Sequence, residues 1–483
     1  MLESLSQPAA NDNHRDADTG MEDLLAAFEA VVTRRLAAAG AGSSFAEREV
    51  EALSVANELT RQLLERALRR IVQAQGTSEL RIDGELFHLH SVGTVMIHSL
   101  VGGLQVERPT YRKSGVHNGP IVVPLELEAG LMEHATPAFA ERVVMGNGDG
   151  NSRTLHRQLL SSRRVPPSRA VLENLSTRLG TALSRDTPRI EAVARRSEKL
   201  PENSATICVG VDRTSVPMEE DLPSGTAVRE RKKPRVRKAP PPVEVNFRMA
   251  YVGTVALVDA DGDMLRVFKY SATPGDGPVQ LLHSMMQDVR RALRQRPTLR
   301  VLAVQDAGKE MWTLLTGALA AEPTVERWDE LIDHPHAMSH LWAAADAIDA
   351  DTGELMAEWK KALREHDDAI DAIHARIVHE LGEGYVPPLR IILEEEDTYL
   401  TNNKHRLHYA ALRDAGCPIG SGATEGACKS FVSFRCKGSG QRWRNEGLRA
   451  ALACRTHLVN NRLATAVATL RRLRYTADVR AAA

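Results

Sequence analysis

At 483 residues the chain has room for about three domains of ordinary size. Its 62 basic and 63 acidic residues leave a net charge of −1, a sum that argues neither for nor against a nucleic-acid partner, so the distribution of charge must decide. No apolar run approaches the roughly 18 residues of a membrane span, the N-terminus lacks the succession of a secretory signal, and five cysteines, an odd count, fit a reducing cytoplasm.

In chain order, residues 1–20 are polar and are expected to form a disordered leader. Residues 21–76 carry two helical patterns, Glu22 to Ala39 and Ala46 to Gln75, the second repeating Leu53, Ala56, Leu59, Leu63, Leu64 and Ala67 at helical spacing. From 77 to 124 the period shortens to that of strands, with an Asp83-Gly84 turn inside LRIDGELFHLH, and a small β meander is predicted. Residues 125–204 return to helical spacing. There a helix, a Pro-Pro break and a second helix invite a helix-turn-helix reading, with Ser168 as N-cap, Leu172, Leu175 and Leu179 inward, and Arg169 and Arg178 outward. A plain helical hairpin is the competing reading. The glycine-rich GNGDGNS (146–152) lacks the Lys-Ser/Thr of a phosphate loop and reads as a turn.

A new unit begins near residue 205. Strands are predicted at Thr206 to Asp212, Phe247 to Val258, Met264 to Tyr270, Leu299 to Asp306 and Arg327 to Asp333, with helices at Pro278 to Gln295 and Lys309 to Ala320. DADGD (259–263) reads as a hairpin turn, and residues 219–242 as a Pro-rich loop holding the basic block Arg229 to Lys238. Antiparallel strands leading into a β-α-β succession define an α/β class, and this order matches a ribonuclease-H-like mixed sheet. The sheet domain, 205–333 and 417–475, is interrupted at 334–416 by an all-α stretch too long for a loop and is preceded by the helical and small β domains. In that stretch LEEEDTY (393–399) reads as a solvated helix face. Residues 476–483 are a tail.

Three carboxylates stand at element ends. Asp212 and Asp306 close β-branched apolar runs, and Glu425 opens a helix behind the Gly/Ser-rich turn of CPIGSGATEG. Carboxylates without a thiolate or imidazole cage suit hard cations, so Mg²⁺ or Mn²⁺, two ions per active site, is the expected cofactor. Phosphoryl transfer on a nucleic acid is the expected chemistry. Asp212 is the bridging candidate, Asp306 completes one ion's shell and Glu425 the other's. Taken singly, an Asp after a strand is more often a cap; three on a consistent order shift that balance. Behind Glu425, Lys429, Arg435, Lys437, Arg442 and Arg444 are placed to grip phosphates, and Trp443 to stack on a base or to lie in the core.

These motifs resemble the ISKra4 family of insertion-sequence transposases, in the wider Mutator-like group of DDE transposases. The resemblance rests on VGVDRTSVPMEE at Asp212, VLAVQDAGKEMW at Asp306, DHPHAMSHLW at Asp333 and HYAALRDAGCPIGSGATEGACKSFVSFRCKGSGQRW around Glu425, and it covers most of the chain from about Glu79 onward. It implies that Asp212, Asp306 and Glu425 are the DDE triad and metal ligands, and that 334–416 is the insertion domain such transposases carry. Asp333 followed three residues later by His336 fits a pattern of the group, with His340 one turn further as a supporting residue. The sequence departs from the family at Ser339, where Glu is expected. His334, His336 and His340 lack a fourth ligand for zinc. The cysteine-rich element many relatives carry near the N-terminus is missing, since Cys208, Cys417, Cys428, Cys436 and Cys454 all lie in or after the core, where buried thiols are expected.

The implied function is DNA transposition: strand cleavage at the terminal inverted repeats of an insertion sequence, then attack of the freed 3′-hydroxyl on target DNA, by a homo-oligomer assembled on DNA in the bacterial cytoplasm at the nucleoid. The competing readings are a ribonuclease-H-like nuclease without strand transfer and a catalytically inactive, domesticated DNA-binding protein.

Overall fold

The computed structural model describes residues 13–38, 44–75, 78–221, 243–349, 351–383 and 385–482. The basic block 229–238 and residues 1–12 of the expected leader lie outside them. The chain divides into two compact units: Met1–Val143 with Asn151–Leu175 and Arg471–Ala483, and Val144–Gly150 with Ser176–Leu470.

In the first unit, helix α1 (Asn13–Ala38) begins within the stretch expected as leader. Helix α2 (Phe45–Ala74) starts at a capping box in which Ser44 and Glu47 satisfy each other's amides. Strands β1 (Glu79–Ile82), β2 (Glu85–Ser99), β3 (Gly102–Lys113) and β4 (Ile121–Val122) form an antiparallel sheet. Asp83 and Gly84 both have positive φ, as a two-residue hairpin turn demands. The predicted tail is corrected: Val479–Ala481 pairs with β1, adding a fifth strand. Leu68 of α2 packs on Ile97, Leu104 and Val106. Helices α3 (Pro124–Ala129), α4 (Pro137–Asp149), α5 (Ser152–Ser161) and α6 (Arg169–Ser197) follow, α4 from Val144 and α6 from Ser176 belonging to the second unit. The predicted GNGDGNS turn is thus helical through Asp149, and Asn151 caps α5. Ser168 caps α6 as expected, its Oγ accepting from the Val171 amide, and Leu172, Leu175 and Leu179 are buried.

The second unit holds a mixed sheet of β5 (Thr206–Asp221), β6 (Val243–Val258), β7 (Met264–Ala272), β8 (Arg300–Gln305) and β9 (Asp329–Ile332), ordered β7-β6-β5-β8-β9. Strands β5, β6 and β7 pair antiparallel, while β8 and β9 run parallel to β5. Between them lie α7 (Val279–Gln295) and α8 (Lys309–Ala320). β5 runs nine residues beyond the predicted end at Asp212, because Thr214, Val216 and Met218 continue an alternating buried row. Glu219, Glu220 and Asp221 are therefore strand, not loop.

The all-α stretch folds as α9 (His334–Ile348), α10 (Thr352–Glu365), α11 (Ala369–Leu381), α12 (Pro387–Asn403) and α13 (Tyr409–Asp414). Their buried residues, such as Trp359, Ile373 and Leu400, belong to the same apolar cluster as β5 and β8, so the insertion is part of the core. The chain then returns through α14 (Gly422–Ala427), a π-helical turn (Cys428–Ser433), α15 (Phe434–Cys436), α16 (Asn445–Val459) and α17 (Leu463–Arg474). Buried Arg462, before α17, bonds Asp288 of α7 at 3.0 Å and Glu198 at 2.7 Å. Among the described residues no helix is long and apolar enough to cross a membrane.

Two glycines let helices sit directly on the sheet. Gly253 faces Met285 of α7, whereas Thr254, one residue on and therefore on the opposite face, bonds Thr424 of α14 at 2.7 Å. Gly210 lies opposite Thr254 in the ladder. A Cβ there would fall 2.5 Å from Thr424 Oγ1 and 2.6 Å from the Val304 carbonyl oxygen. Gly210→Val should therefore push α14 off the sheet and lower unfolding free energy by about 1–3 kcal/mol, read from urea titration; an unchanged midpoint would show that α14 is not seated there.

Candidate active site

Asp212 lies two residues after Gly210, so its side chain leaves the sheet on the face that α14 covers. Asp306 follows β8 immediately, and Glu425 stands in the first turn of α14. The three line one cavity of about 250 Å³ together with Gln305, Asp333, Pro335, His336, Ser421 and Thr424. The structure thus brings together the three carboxylates singled out in sequence.

Their surroundings differ. Asp212 Oδ1 accepts from the Arg213 amide at 2.6 Å, and Oδ2 from the Cys428 thiol at 3.1 Å. Burial, then the charge and hydrogen bond of Asp212, raise the affinity of that thiol for its proton, so Cys428 stays a donor. Glu425 is exposed and bound at 2.5 Å by the equally exposed Lys429. Asp306 accepts no hydrogen bond from the described residues. The residue reaches solvent, yet partial desolvation of its carboxylate raises its pKa from the ordinary aspartate value. Asp212, Asp333 and Glu425 push the same way, and His336 opposes them.

Asp333, buried at the end of β9, spends both oxygens on backbone amides. Oδ2 caps α9 through the His336 amide at 3.2 Å, and Oδ1 accepts from Ser421, the residue before α14. It shapes the pocket by tying together the starts of α9 and α14. His336 faces the cavity. The His340 ring meets that of His336 edge to face at 5.1 Å between centres, while its Nδ1 bonds Glu396 Oε2 at 2.9 Å and its other side stacks on Tyr399 at 3.7 Å. Glu396 is buried, which corrects the reading of LEEEDTY as a uniformly solvated face. His334 packs edge-on against Tyr409 instead.

The basic segment divides into two groups. Lys437 is exposed and reaches Thr214 Oγ1 at 2.9 Å, while Arg442 and Arg444, also exposed, pair with Glu219 at 2.8 Å and Asp221 at 2.9 Å on the extension of β5. These cations run along the strand that carries Asp212. Arg435 is a correction: it is buried, its Nε donates to the Asn147 carbonyl at 2.6 Å and its guanidinium lies 4.8 Å from the Trp443 ring centre. Trp443, for which stacking and packing were both expected, makes packing contacts. Its Nε1 donates to the Cys436 carbonyl, and its backbone bonds Pro217 and Glu219 where β5 has passed the end of β8. Arg169 and Arg178 are exposed on α6. All five cysteines are buried and free.

Gln305 and Thr424 were not singled out in sequence, and Cys428 was expected only as a buried thiol. Gln305 Oε1 accepts from the Val211 amide at 3.2 Å, bracing the strand beside Asp212; Gln305 and Thr424 each sit next to a recognised acid, and that adjacency was their only signal.

Oxygen donors of three carboxylates, one of them without a partner and resisting ionisation, match the demand of a hard divalent cation. Among the described residues no three His, Cys, Asp or Glu side chains already stand at the spacing of a closed metal cage, and Glu425, held by a single surface ion pair, is the least fixed of the set. No family model and no curated protein matches this chain.

The raised proton affinity of Asp306 has a thermodynamic consequence. The folded state binds this proton more tightly than the unfolded state, so stability falls as pH rises from about 3.9 through the raised value. Asp306→Asn should raise the unfolding temperature at pH 7 in chelator-containing buffer, and the gain should fade below about pH 4. Calorimetry showing no gain at pH 7 would mean that the acids do not burden one another.

Proposed function

We propose that this protein is a metal-dependent DNA transposase of the DDE type, built on a ribonuclease-H-like sheet and similar in kind to the ISKra4 transposases. The observation that carries the reading is the sharing of one cavity by Asp212 of the central strand, Asp306 at the end of the adjacent parallel strand and Glu425 of the helix laid across them. Bound Mg²⁺ or Mn²⁺, two ions per site, would supply a water activated at neutral pH and offset the charge on the scissile phosphate.

The chain's own residues account for the rest. Asp212, Asp306 and Glu425 would hold the ions. His336, on the cavity wall, faces the phosphate, with Asp333 fixing the start of its helix. Lys429, Lys437, Arg442 and Arg444 take the flanking phosphates in exchange for their present acidic partners or Thr214, so DNA affinity should fall steeply with salt. Water attacks a phosphodiester at each terminal inverted repeat and breaks its bond to the 3′-oxygen, leaving a 5′-phosphate and a 3′-hydroxyl; that hydroxyl then attacks a phosphodiester of target DNA and displaces the target strand's own 3′-oxygen. Joining two ends calls for a homo-oligomer on the DNA, in the bacterial cytoplasm at the nucleoid.

The test is a supercoiled plasmid carrying the DNA that borders the gene, incubated with the full-length protein and Mg²⁺ or Mn²⁺. Nicking at the borders and strand-transfer products are expected, and Asp212→Asn, Asp306→Asn and Glu425→Gln should each reduce cleavage by about a thousandfold or more. Cleavage without joining would identify a nuclease. Binding without cleavage, unaffected by Asp212→Asn, would identify an inactive DNA-binding descendant.

A further inference from the structure

The apolar repeat noted in α2 is not consumed by the fold of one chain. Phe45, Leu59 and Leu63 are 83%, 53% and 66% exposed. They belong to a stripe with alternating spacings of four and three, namely Phe45, Glu49, Ala52, Ala56, Leu59, Leu63, Arg66 and Arg70, the period of a helix-pairing seam. Two other faces of α2 are occupied: Glu51 pairs with Arg35 of α1 at 2.7 Å, and Leu64, Leu68 and Ile71 turn toward the sheet. The stripe lies between these faces. Glu49, Arg66 and Arg70 make no ion pair among the described residues.

The order of residues along the seam specifies its partner. The acid lies in its first half and both arginines in its second. A parallel copy would set Glu49 against Glu49 and Arg66 against Arg66, with like charges opposed. An antiparallel copy, with the two-fold axis between Asn57 and Glu58, sets Glu49 against Arg66 and Phe45 against Arg70. The same register puts Ala52 opposite Leu63 and Ala56 opposite Leu59, so each large side chain meets a small one. A single register that satisfies charge, cation–aromatic contact and volume at once is the mark of an isologous interface. The two long segments outside the described residues offer no rival: 1–12 (MLESLSQPAAND) and 222–242 (LPSGTAVRERKKPRVRKAPPP) contain no apolar repeat of this spacing.

We infer that α2 is a homodimerisation helix, pairing antiparallel with α2 of a second copy of this chain through the Phe45–Arg70 stripe. The interface forms without DNA and stands whether or not the protein cuts DNA.

Sedimentation equilibrium of the full-length protein without DNA should show dimers over a micromolar range. Glu49→Arg and Arg66→Glu should each weaken association about tenfold or more, since two symmetric contacts become repulsive, and the combined charge swap should restore it. Both residues are exposed, and circular dichroism would verify that the variants fold. Ala56→Cys combined with Leu59→Cys should yield an interchain disulfide on mild oxidation, the natural cysteines being buried. A wild-type monomer throughout, or a charge swap that associates no better than its single variants, would overturn the inference.

Discussion

The site depends on one buried carboxylate. Asp333 ends β9, and its two oxygens take amides from segments separated by the whole helical insertion, His336 at the start of α9 and Ser421 at the start of α14. Two main-chain bonds reinforce this junction, from Asp333 N to the Gln305 carbonyl at 3.1 Å and from His334 N to the Ile419 carbonyl at 3.0 Å. A buried carboxylate is tolerated only where donors satisfy it; here the donors are backbone, so the acid is spent on architecture. The return of the chain from the insertion is thereby fixed at the end of the sheet, and α14 can begin there only by crossing β5 at Gly210. Glu425 reaches the cavity of Asp212 and Asp306 as a consequence.

The remaining acids are held at a cost. Asp306 ionises against partial burial and three neighbouring carboxylates, with His336 as partial relief. Such unbalanced charge does not stabilise a fold, and its concentration at one sheet edge is what a site that receives a cation requires. Cys428 and Gln305 work in the opposite direction, giving Asp212 and its strand donors or acceptors that keep them in place. The extension of β5 beyond Val209, where pairing with β8 ends, supplies a ledge on which Trp443 forms main-chain bonds and along which Lys437, Arg442 and Arg444 are arrayed.

Much of this was legible in sequence where burial on both faces imposes a plain apolar run. The stretches ending at Asp306 and beginning at Thr206 are of that kind, and α8 appears at Lys309–Ala320 as its period predicts. Legibility failed where one feature had two physical explanations. The polar residues after Asp212 resemble a loop, yet alternate residues are buried and continue the strand. Arg435 shares composition with its exposed neighbours and is buried because Asn147, nearly three hundred positions away, supplies acceptors. Glu396 looks like Glu394 and Glu395 until His340 is seen beside it. The repeat in α2 gave the right helix but no sign that half of its apolar face would remain outside the fold of one chain. Local spacing reports periodicity; it does not report the distant partner that decides between exposure and burial.

The central claim is that Asp212, Asp306 and Glu425 act as one divalent-ion site. Titration of the full-length protein with Mn²⁺, followed by electron paramagnetic resonance of the free ion, tests it most directly. Saturable binding of two ions, lost or sharply weakened in Asp212→Asn, Asp306→Asn and Glu425→Gln alike and retained in Glu394→Gln, is the predicted result. Binding that is absent from the wild type, or that survives all three substitutions, would contradict the account.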